Sequence, residues 1–339
     1  MGELYNKDIK DKFLNENYSN EQTKNTIRHV FIKSEPIESV LNKDLYDFTA
    51  DEIGNVIKNS NPLSSTVARS SGRFISQYIS WAMSYRNSNI HPLDAKSPSW
   101  YDQFVDKTKK IHFSKDELYN EIIDNPMMLN AQDKALLSLM FEGIVGKGFS
   151  ELNNIHYNNI NWETNEITVE GRENPIKVSD RTIKHVEDAY YEPTYLFYNT
   201  ETGDTTEKEL VASGYIFKNT KSPRTKEGEP ISVQTFYGRM RTIKEMFDLE
   251  YLTPNALKQS GMISMAADIA KDCIEKGKVN ESGKPELGYD EFALIGEKYN
   301  VAMMENNGYR YFNTFLMREF VTQKKLKEIY NLEVSIVKR

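Results

Sequence analysis

Apolar residues recur at helical spacing over most of the chain, so helices dominate the predicted structure. In residues 63–85, apolar side chains such as Phe74, Ile75 and Tyr78 fall on one side of a long helix. Residues 130–144 hold so many apolar side chains that not all of them can face water, which is typical of a core helix. Helices are predicted over residues 19–33, 49–58, 63–85, 99–107, 130–144, 180–191, 232–247, 254–276, 289–299 and 308–330.

Three short segments alternate between apolar and polar residues, which is the pattern of half-buried β-strands. They cover residues 155–160, 167–170 and 175–178, and polar turns separate them. Because the turns are short, we predict a three-stranded antiparallel sheet. A long polar insertion follows at residues 195–214, and residues 215–217 are a candidate for a further strand.

The domain organisation follows from two helix-start signals. Residues 49–52 and 114–117 both have the form Thr/Ser-x-Asp-Glu, in which the hydroxyl and the carboxylate can each accept a backbone N–H at the start of a helix. A short basic connector at residues 107–112 precedes the second signal. We therefore predict a helical N-terminal domain over residues 1–108 and a second domain over residues 109–339.

Charge and composition narrow the class of protein. The formal net charge is −7, with 16 Lys and Arg against 14 Asp and Glu in residues 1–115, and 27 against 36 in the remainder. The total argues weakly against nucleic acid, but a local basic face can still bind DNA. The single cysteine, Cys273, excludes an intramolecular disulfide and fits a cytoplasmic protein. The sequence contains no run of about 18 apolar residues, so it predicts no membrane span. Its polar N-terminus is unlike a signal peptide.

Two segments far apart in the chain carry the pattern that points to a function. Residues 141–152 read Phe-Glu-Gly-Ile-Val-Gly-Lys-Gly-Phe-Ser-Glu-Leu, and residues 253–261 read Thr-Pro-Asn-Ala-Leu-Lys-Gln-Ser-Gly. With residues 167–171 and 294–296, in this order, they resemble the motifs of the tyrosine recombinases, or phage integrases. The resemblance implies an α+β, mainly α fold. It consists of an N-terminal helical core-binding bundle of the SAM-like type and a C-terminal tyrosine-recombinase catalytic-type domain with a small three-stranded antiparallel sheet.

The resemblance also implies a set of catalytic positions. An active relative attacks a phosphodiester with a tyrosine, clamps the nonbridging oxygens with two arginines, protonates the leaving 5′-oxygen with a lysine and uses histidines for proton transfer. The matching positions of this chain hold Gly148, Arg172, Asn255, Lys258 and Glu297, with Tyr309 or Tyr311 as the candidate nucleophile.

These residue types do not support the reaction. Glycine offers no donor, asparagine does not titrate near neutral pH, lysine lacks the bidentate fork of arginine, and arginine is a poor acid. The five histidines stand at positions 29, 91, 112, 156 and 185, so none lies in the last 154 residues, where the family places its catalytic ones. We therefore expect the chain not to be an enzyme, and we expect no cofactor and no metal.

Three functions stay open at this point. The first is a sequence-specific protein for double-stranded DNA, such as a phage transcriptional repressor that controls lysis and lysogeny at operator sites. The second is a diverged active recombinase that uses Tyr309 or Tyr311. The third is a protein-interaction module, in which the C-terminal helix contacts a second copy or an antirepressor.

For the first function, basic residues of both domains are the candidate phosphate contacts, because DNA affinity comes mainly from the phosphate backbone. The candidates are Arg69, Arg73, Arg172, Lys218, Lys221, Arg224, Lys226, Arg239, Arg241 and Lys258. Arg69 and Arg73 flank Ser70, Ser71 and Gly72, small residues that would let the long N-terminal helix approach DNA closely.

Overall fold

The structure is a computed structural model that describes residues 4–86, 90–106, 109–223, 225–226 and 228–337. The chain divides into two units, Met1–Lys109 and Lys110–Arg339. Each unit has a hydrophobic core of its own. The predicted class is confirmed, because the chain is mainly helical with small sheets. Among the described residues, no helix is both long enough and apolar enough to cross a membrane.

The N-terminal unit is helical. Its described α-helices are α1 (Lys7–Asn17), α2 (Glu21–Leu41), α3 (Ala50–Asn59) and α4 (Ser65–Trp81). The rings of Phe13, Phe31 and Tyr78 pack together in its core. Thr49 and Glu52 form both hydrogen bonds of the predicted capping box at the start of α3. The helix predicted over residues 99–107 is a 3-10 helix at Pro98–Phe104, and residue 107 lies outside the described residues.

The prediction that helix α2 ends before Pro36 is wrong. A proline inside a helix lacks an N–H and clashes with the preceding turn, yet α2 continues to Leu41. The reason is tertiary: the buried Glu38 carboxylate accepts from Lys10 Nζ at 2.6 Å and from the Leu45 backbone N–H at 2.7 Å. These contacts hold the last turn of the helix against the proline penalty.

Small residues of α3 and α4 serve packing inside the N-terminal unit. A Cβ at Gly72 would lie 2.2 Å from the ring of Tyr101, and a Cβ at Gly54 would lie 2.7 Å from that of Phe104. The 3-10 helix that carries both rings therefore needs glycine at these positions. The prediction that Gly72 lets DNA approach α4 is wrong, because Tyr101 already occupies that space.

The second unit combines helices with four small sheets in its described part. Its helices are α5 (Lys115–Glu117), which continues as a π-helix to Ile123, α6 (Ala131–Phe141), α7 (Ser150–Asn153), α8 (Asp180–Tyr191), α9 (Val233–Met246), α10 (Pro254–Glu275), α11 (Tyr289–Lys298), α12 (Thr314–Met317) and α13 (Gln323–Tyr330). Its strands are β1 (Ile160–Asn161), β2 (Glu166–Ile167), β3 (Ile176–Lys177), β4 (Thr194–Tyr198), β5 (Thr205–Glu209), β6 (Glu286–Leu287), β7 (Met303–Asn306), β8 (Tyr309–Phe312) and β9 (Ser335–Ile336).

The three-stranded sheet has the predicted antiparallel order β1-β2-β3, although each strand is only two residues long. Ile160, Ile167 and Ile176 pair across the sheet and are all buried. Core helix α6 lies within its predicted range, and its residues from Ala135 to Met140 are fully buried. The alternation of the sequence therefore located the buried face of the sheet correctly.

The polar insertion is more ordered than the sequence suggests. Strands β4 and β5 pair in antiparallel register from Thr194↔Glu209 to Tyr198↔Thr205. The candidate strand at residues 215–217 makes only an isolated bridge between Tyr215 and His156. The exposed side chains of β5 gave no alternating signal, which is why the hairpin was missed.

The prediction of one C-terminal helix over residues 308–330 is wrong. Strands β7 and β8 form an antiparallel hairpin there, and α12 and α13 follow as two short helices. Asn307 and Gly308 connect the strands with φ of 52° and 80°, and such left-handed angles at both turn residues are what a tight hairpin requires. The Asn-Gly pair was the signal that helical periodicity concealed.

Candidate nucleic-acid interface

A surface cavity of about 390 Å³ lies where the turn after α6 meets the start of α10. It brings together Gly148, Asn255 and Lys258, three of the positions that the resemblance assigned to catalysis. The other lining residues are Val145, Gly146, Lys147, Phe149, Glu151, Tyr237, Pro254 and Asn300. Two distant sequence motifs therefore form one site, as the resemblance implied.

The turn that carries Gly148 is held by a buried aromatic ring. Gly146, Gly148 and Phe149 have φ of 70°, 61° and 63°, all in the left-handed region. Phe149 is only 2% exposed, and its ring packs on those of Phe236 and Tyr237 at 5.1 and 4.9 Å. A Cβ at Gly148 would meet no atom within 4 Å. The cavity thus has open space, and no donor, at the position to which the resemblance assigns a catalytic arginine.

The other wall of the cavity is the first turn of α10. Thr253 caps this helix, since its hydroxyl accepts the backbone N–H of Ala256 at 3.1 Å. The exposed Asn255 lies in the same turn, at the positive end of the helix dipole. The cavity wall is therefore favourable for an anion.

Lys258 lies one turn further along α10 and is half-buried. Burial, followed by the nearby Arg172 charge, lowers the pKa of the Lys258 ammonium, while the Glu151 carboxylate acts in the opposite direction. Among the described residues, no carboxylate lies within 4.0 Å of its Nζ. Because burial and the Arg172 charge disfavour the ammonium form of Lys258, an anion bound in the cavity would stabilise that form.

Arg172 is bound inside the protein rather than turned toward a ligand. Its Nε and Nη2 donate to the two carboxylate oxygens of Glu151 at 2.8 and 2.6 Å. Nη1 donates to the Lys298 carbonyl at 2.7 Å, and Nη2 donates to the Gly143 carbonyl at 2.6 Å. The Arg172 and Glu151 side chains are only 5% and 7% exposed. The predicted phosphate contact of Arg172 is therefore corrected: it links the β2–β3 turn to the ends of α6 and α11.

Sequence reasoning missed the partner in this arrangement. Glu151 belongs to the Ser-Glu-Leu motif, which marked the site but gave no role to the carboxylate. Although burial opposes it, the hydrogen bonds and charge of Arg172 hold the pKa of Glu151 below its ordinary value. Asn300 adds a contact at 3.3 Å, and nothing in the sequence pattern indicated that it lines the cavity.

The candidate nucleophiles lie on the C-terminal hairpin. Tyr309 and Tyr311 belong to β8, and Tyr309 is 79% exposed. Neither is among the described residues that line the cavity. Glu297 is exposed at the end of α11 and accepts a hydrogen bond from Asn174 at 3.0 Å. None of these three positions therefore belongs to the described lining of the cavity that holds Gly148, Asn255 and Lys258.

Two of the predicted DNA contacts are directed into the core. Lys218 is 7% exposed, and its Nζ donates to the carbonyls of Tyr190 and Glu192 at 2.7 and 2.6 Å. Arg239 is 5% exposed, and its Nη1 donates to Gln132 at 2.9 Å. In the structure both groups therefore have partners inside the domain, and neither side chain is displayed on the outer surface as the predicted contacts with the DNA backbone would require.

The remaining predicted contacts of the second unit are at the surface. Lys221 pairs with Glu209 at 3.0 Å, Lys226 with Glu229 at 3.5 Å, and Arg241 with Glu245 at 4.0 Å. All three basic side chains are more than 70% exposed. Such pairs contribute little to stability, so the cations remain accessible. Arg224 lies outside the described residues.

The predicted contacts of the N-terminal unit are exposed on α4. Arg69 lies 3.4 Å from Asp102, and both side chains are about 40% exposed. The Arg73 guanidinium lies over the ring of Phe74 at 5.6 Å. Both arginines are one helical turn apart on the same outward face, so they remain candidates for phosphate contacts.

One further chain of residues has the composition of a hydrolytic triad. Ser138 Oγ lies 2.8 Å from His185 Nδ1, and His185 Nε2 lies 2.8 Å from Asp124. Ser138 is fully buried, however, and its hydroxyl donates to the Lys134 carbonyl at 2.8 Å. No substrate can reach this oxygen, and the contacts hold α6, α8 and the π-helix together. His185 therefore has a structural role in these contacts.

The helical bundle, the three-stranded sheet and the pairing of the two motifs define a tyrosine-recombinase fold. Family models described as "MrpR, N-terminal core-binding domain" and "MrpR, C-terminal catalytic domain" match residues 4–84 and 112–331. The chain belongs to the MrpR family.

Other proteins are similar over most of the chain. The SPbeta prophage-derived uncharacterized protein YopR of Bacillus subtilis (strain 168) is 27% identical over 345 residues, which cover 98% of each chain. The Tn1549 transposon integrase in complex with circular intermediate DNA covers 95% of this chain and 97% of its own, with 9% identity and a TM-score of 0.46. A lambda integrase dimer bound to a COC′ core site covers 78% and 87%, with 15% identity and a TM-score of 0.43.

Proposed function

We propose that this protein binds double-stranded DNA in the bacterial cytoplasm without cutting it, and that it acts as a phage transcriptional repressor of lysis. The observation that carries the proposal is the cavity between the α6 turn and α10. It has kept groups that attract a phosphate and lacks the groups that would break the phosphodiester. The same proposal makes the chain a non-enzyme.

Binding is supported by the charge of the cavity. Lys147 and Lys258 line it beside the amide of Asn255 and the N-terminus of α10. A helix N-terminus and lysine ammonium groups together favour a phosphate oxygen. The exposed cations Arg69, Arg73, Lys221, Lys226 and Arg241 would add phosphate contacts elsewhere on the two units.

Absence of cleavage is supported by three losses at once. No donor extends from position 148, Asn255 cannot exchange a proton near neutral pH, and Arg172 is engaged by Glu151. Removal of one preorganised donor typically slows such a reaction by about 10²–10³-fold. These groups serve a transition state, so their loss leaves ground-state DNA binding possible.

A mobility-shift titration tests binding. DNA fragments tiled across the phage genome that encodes the chain are titrated at several salt concentrations. We expect a preferred fragment, and Lys258→Ala should weaken all complexes and lower the salt slope by about 0.9. The matched control is Lys278→Ala, an exposed lysine beyond the opposite end of α10 and about 25 Å away by helix length. Absence of any preferred complex at low salt would end the proposal.

A suicide substrate that traps a phosphotyrosyl adduct tests the claim of inactivity. We expect no covalent complex with the wild-type protein. A covalent band that disappears in Tyr309→Phe or Tyr311→Phe would establish an active recombinase instead.

An interaction role is favoured by a separate observation near the C-terminus. Phe315 and Leu316 of α12 are 72% and 45% exposed, and Tyr309 lies shortly before them in the chain. We propose this surface as the contact with a second copy or an antirepressor, in place of the single long helix that the sequence predicted. Light scattering after size exclusion, with and without DNA, should show a dimer that Phe315→Ser abolishes.

A further inference from the structure

A second cavity, of about 300 Å³, lies beside α9 on the side of the β4–β5 hairpin. Its lining combines aromatic rings, hydroxyl groups and basic side chains, and does not include the residues of the first cavity. The lining residues are Tyr195, Phe197, Lys218, Asn219, Thr220, Thr235, Gly238, Arg239, Arg241 and Thr242. Of these lining residues, the proposed function uses only Arg241, as an exposed phosphate contact, and it gives no role to the cavity itself.

Gly238 leaves the cavity open from the middle of α9. A glycine in a helix interior is destabilising relative to alanine, so it usually answers a packing need. Here a Cβ would meet no atom within 4 Å, and Gly238 is one of the lining residues. Internal packing therefore does not require glycine at this position. What its missing side chain provides is space in the cavity.

Two of the lining residues, Lys218 and Arg239, are basic and buried. Arg239 stacks its guanidinium on the ring of Tyr195 at 4.4 Å, and its buried Nε has no hydrogen-bond partner among the described residues. Its nearest carboxylate is Asp133, at 3.9 Å. Lys218 is held by two carbonyl oxygens rather than by a carboxylate at ion-pair distance. These charges are only partly neutralised, although Glu192 also lies nearby.

Groups near the opening complete a site for an oxyanion. Arg241 is 78% exposed and lies one turn from Gly238 on the same helix. Thr220, Thr235 and Thr242 add hydroxyl groups that can donate to oxygen. Phe197, 41% exposed, forms an apolar wall. Two arginines, several hydroxyls and an aromatic wall suit a phosphate attached to a flat, partly apolar group.

We propose that this cavity binds the phosphate of a nucleotide, with Arg239 and Arg241 as its anchors. The nucleotide is either a free mononucleotide or one unit of a DNA strand, since both present the same chemistry. The DNA source rests on the proposed function, whereas the free nucleotide does not. In either case α9 links this site to the first cavity, because Tyr237 lines one and Gly238 the other.

The test fills the cavity without removing a charge. Gly238→Leu places an isobutyl group in the open space, and Gly238→Ala is the matched control that gives the same gain in helix propensity but leaves most of the cavity free. Inorganic phosphate and AMP are titrated against the full chain by calorimetry at constant ionic strength. Lys258→Ala is included because it reports on binding at the first cavity. Retained thermal stability of Gly238→Leu establishes that the variant is folded.

We expect AMP to bind the wild type, Gly238→Ala and Lys258→Ala alike, and at least tenfold more weakly to Gly238→Leu. That result assigns the site to a free nucleotide. If free ligands do not bind, a salt slope for DNA that is lower by about 0.9 in Gly238→Leu than in Gly238→Ala assigns it to a DNA phosphate. The inference is overturned if Gly238→Leu matches Gly238→Ala in both titrations. If the wild-type protein binds AMP but no DNA fragment, the proposed function alone is rejected.

Discussion

Replacing Arg172 with alanine removes the guanidinium that neutralises Glu151 inside the second unit. The carboxylate would stay buried, and its remaining hydrogen-bond donors among the described residues would be the Val145 backbone N–H at 2.8 Å and the Asn300 amide at 3.3 Å. The carbonyl oxygens of Gly143 and Lys298 would lose their donor as well.

The expected loss of stability is large because a charge is left unpaired. Removal of one partner of a buried ion pair typically costs about 3–5 kcal/mol. The two contacts that Glu151 keeps offset part of this, and water from the adjoining cavity can reach the freed carbonyls. We therefore expect the free energy of unfolding of the second unit to fall by about 3 kcal/mol.

Urea unfolding followed by the fluorescence of Trp162 measures this quantity for the second unit. Trp81 and Trp100 of the N-terminal unit are replaced by phenylalanine so that they do not contribute. The double variant Arg172→Ala, Glu151→Ala should lose less than the sum of the single variants, because neither charge is left alone. Lys184→Ala removes a pair with Asp188 that is about half exposed, so this control should change stability by less than about 1 kcal/mol.

The dependence of the free energy of unfolding on acidic pH gives a second check on the pair of Arg172 and Glu151. The folded-state pKa of Glu151 is lowered, so its contribution is fully present above the unfolded pKa of about 4.3 and is lost as pH falls through the folded value. The stability difference between the wild type and Arg172→Ala should therefore shrink below about pH 4. A loss under 1 kcal/mol at pH 7, or a difference that does not vary with pH, would refute the structural role assigned to Arg172.

Three further outcomes are expected. Gly148→Arg should fold, with a loss of only about 1–2 kcal/mol from the left-handed backbone, because the new side chain enters open space; thermal unfolding checks this, and aggregation would contradict it. DNA affinity should fall as pH rises through the lowered pKa of Lys258, since its charge is lost there, and Lys258→Met should remove this dependence in a binding titration. Gly308→Val should open the β7–β8 hairpin, because φ is 80° at that position; faster hydrogen exchange over residues 303–312 measures this, and unchanged exchange would contradict it.

Several helices could be predicted because their signals are local. Helix α8 has the predicted bounds, and α10 begins at the predicted residue after its Thr253 cap. The two motifs also predicted which residues share a cavity, since Gly148, Asn255 and Lys258 line it together. That success came from the resemblance, because no periodicity relates residues that far apart in the chain.

The errors share a different cause. Helix α2 passes Pro36 because buried contacts of Glu38 outweigh a local penalty. The C-terminal hairpin replaced a predicted helix because the left-handed turn at Asn307 and Gly308 redirects the chain. The sequence also did not predict whether a basic side chain is buried or exposed. Arg239 is 5% exposed, whereas the Arg241 side chain, two residues later on α9, is 78% exposed.

The sequence by itself determined the residue types at each position of the recombinase scaffold, and therefore which donors and proton carriers are missing. Only the tertiary structure decided which of the remaining charges are available to a ligand. Arg172 and Lys218 are basic residues of the kind that contacts DNA, but each is bonded inside the domain. The physical reason is that a charge removed from water must find partners, and those partners come from distant segments that only the folded chain brings close.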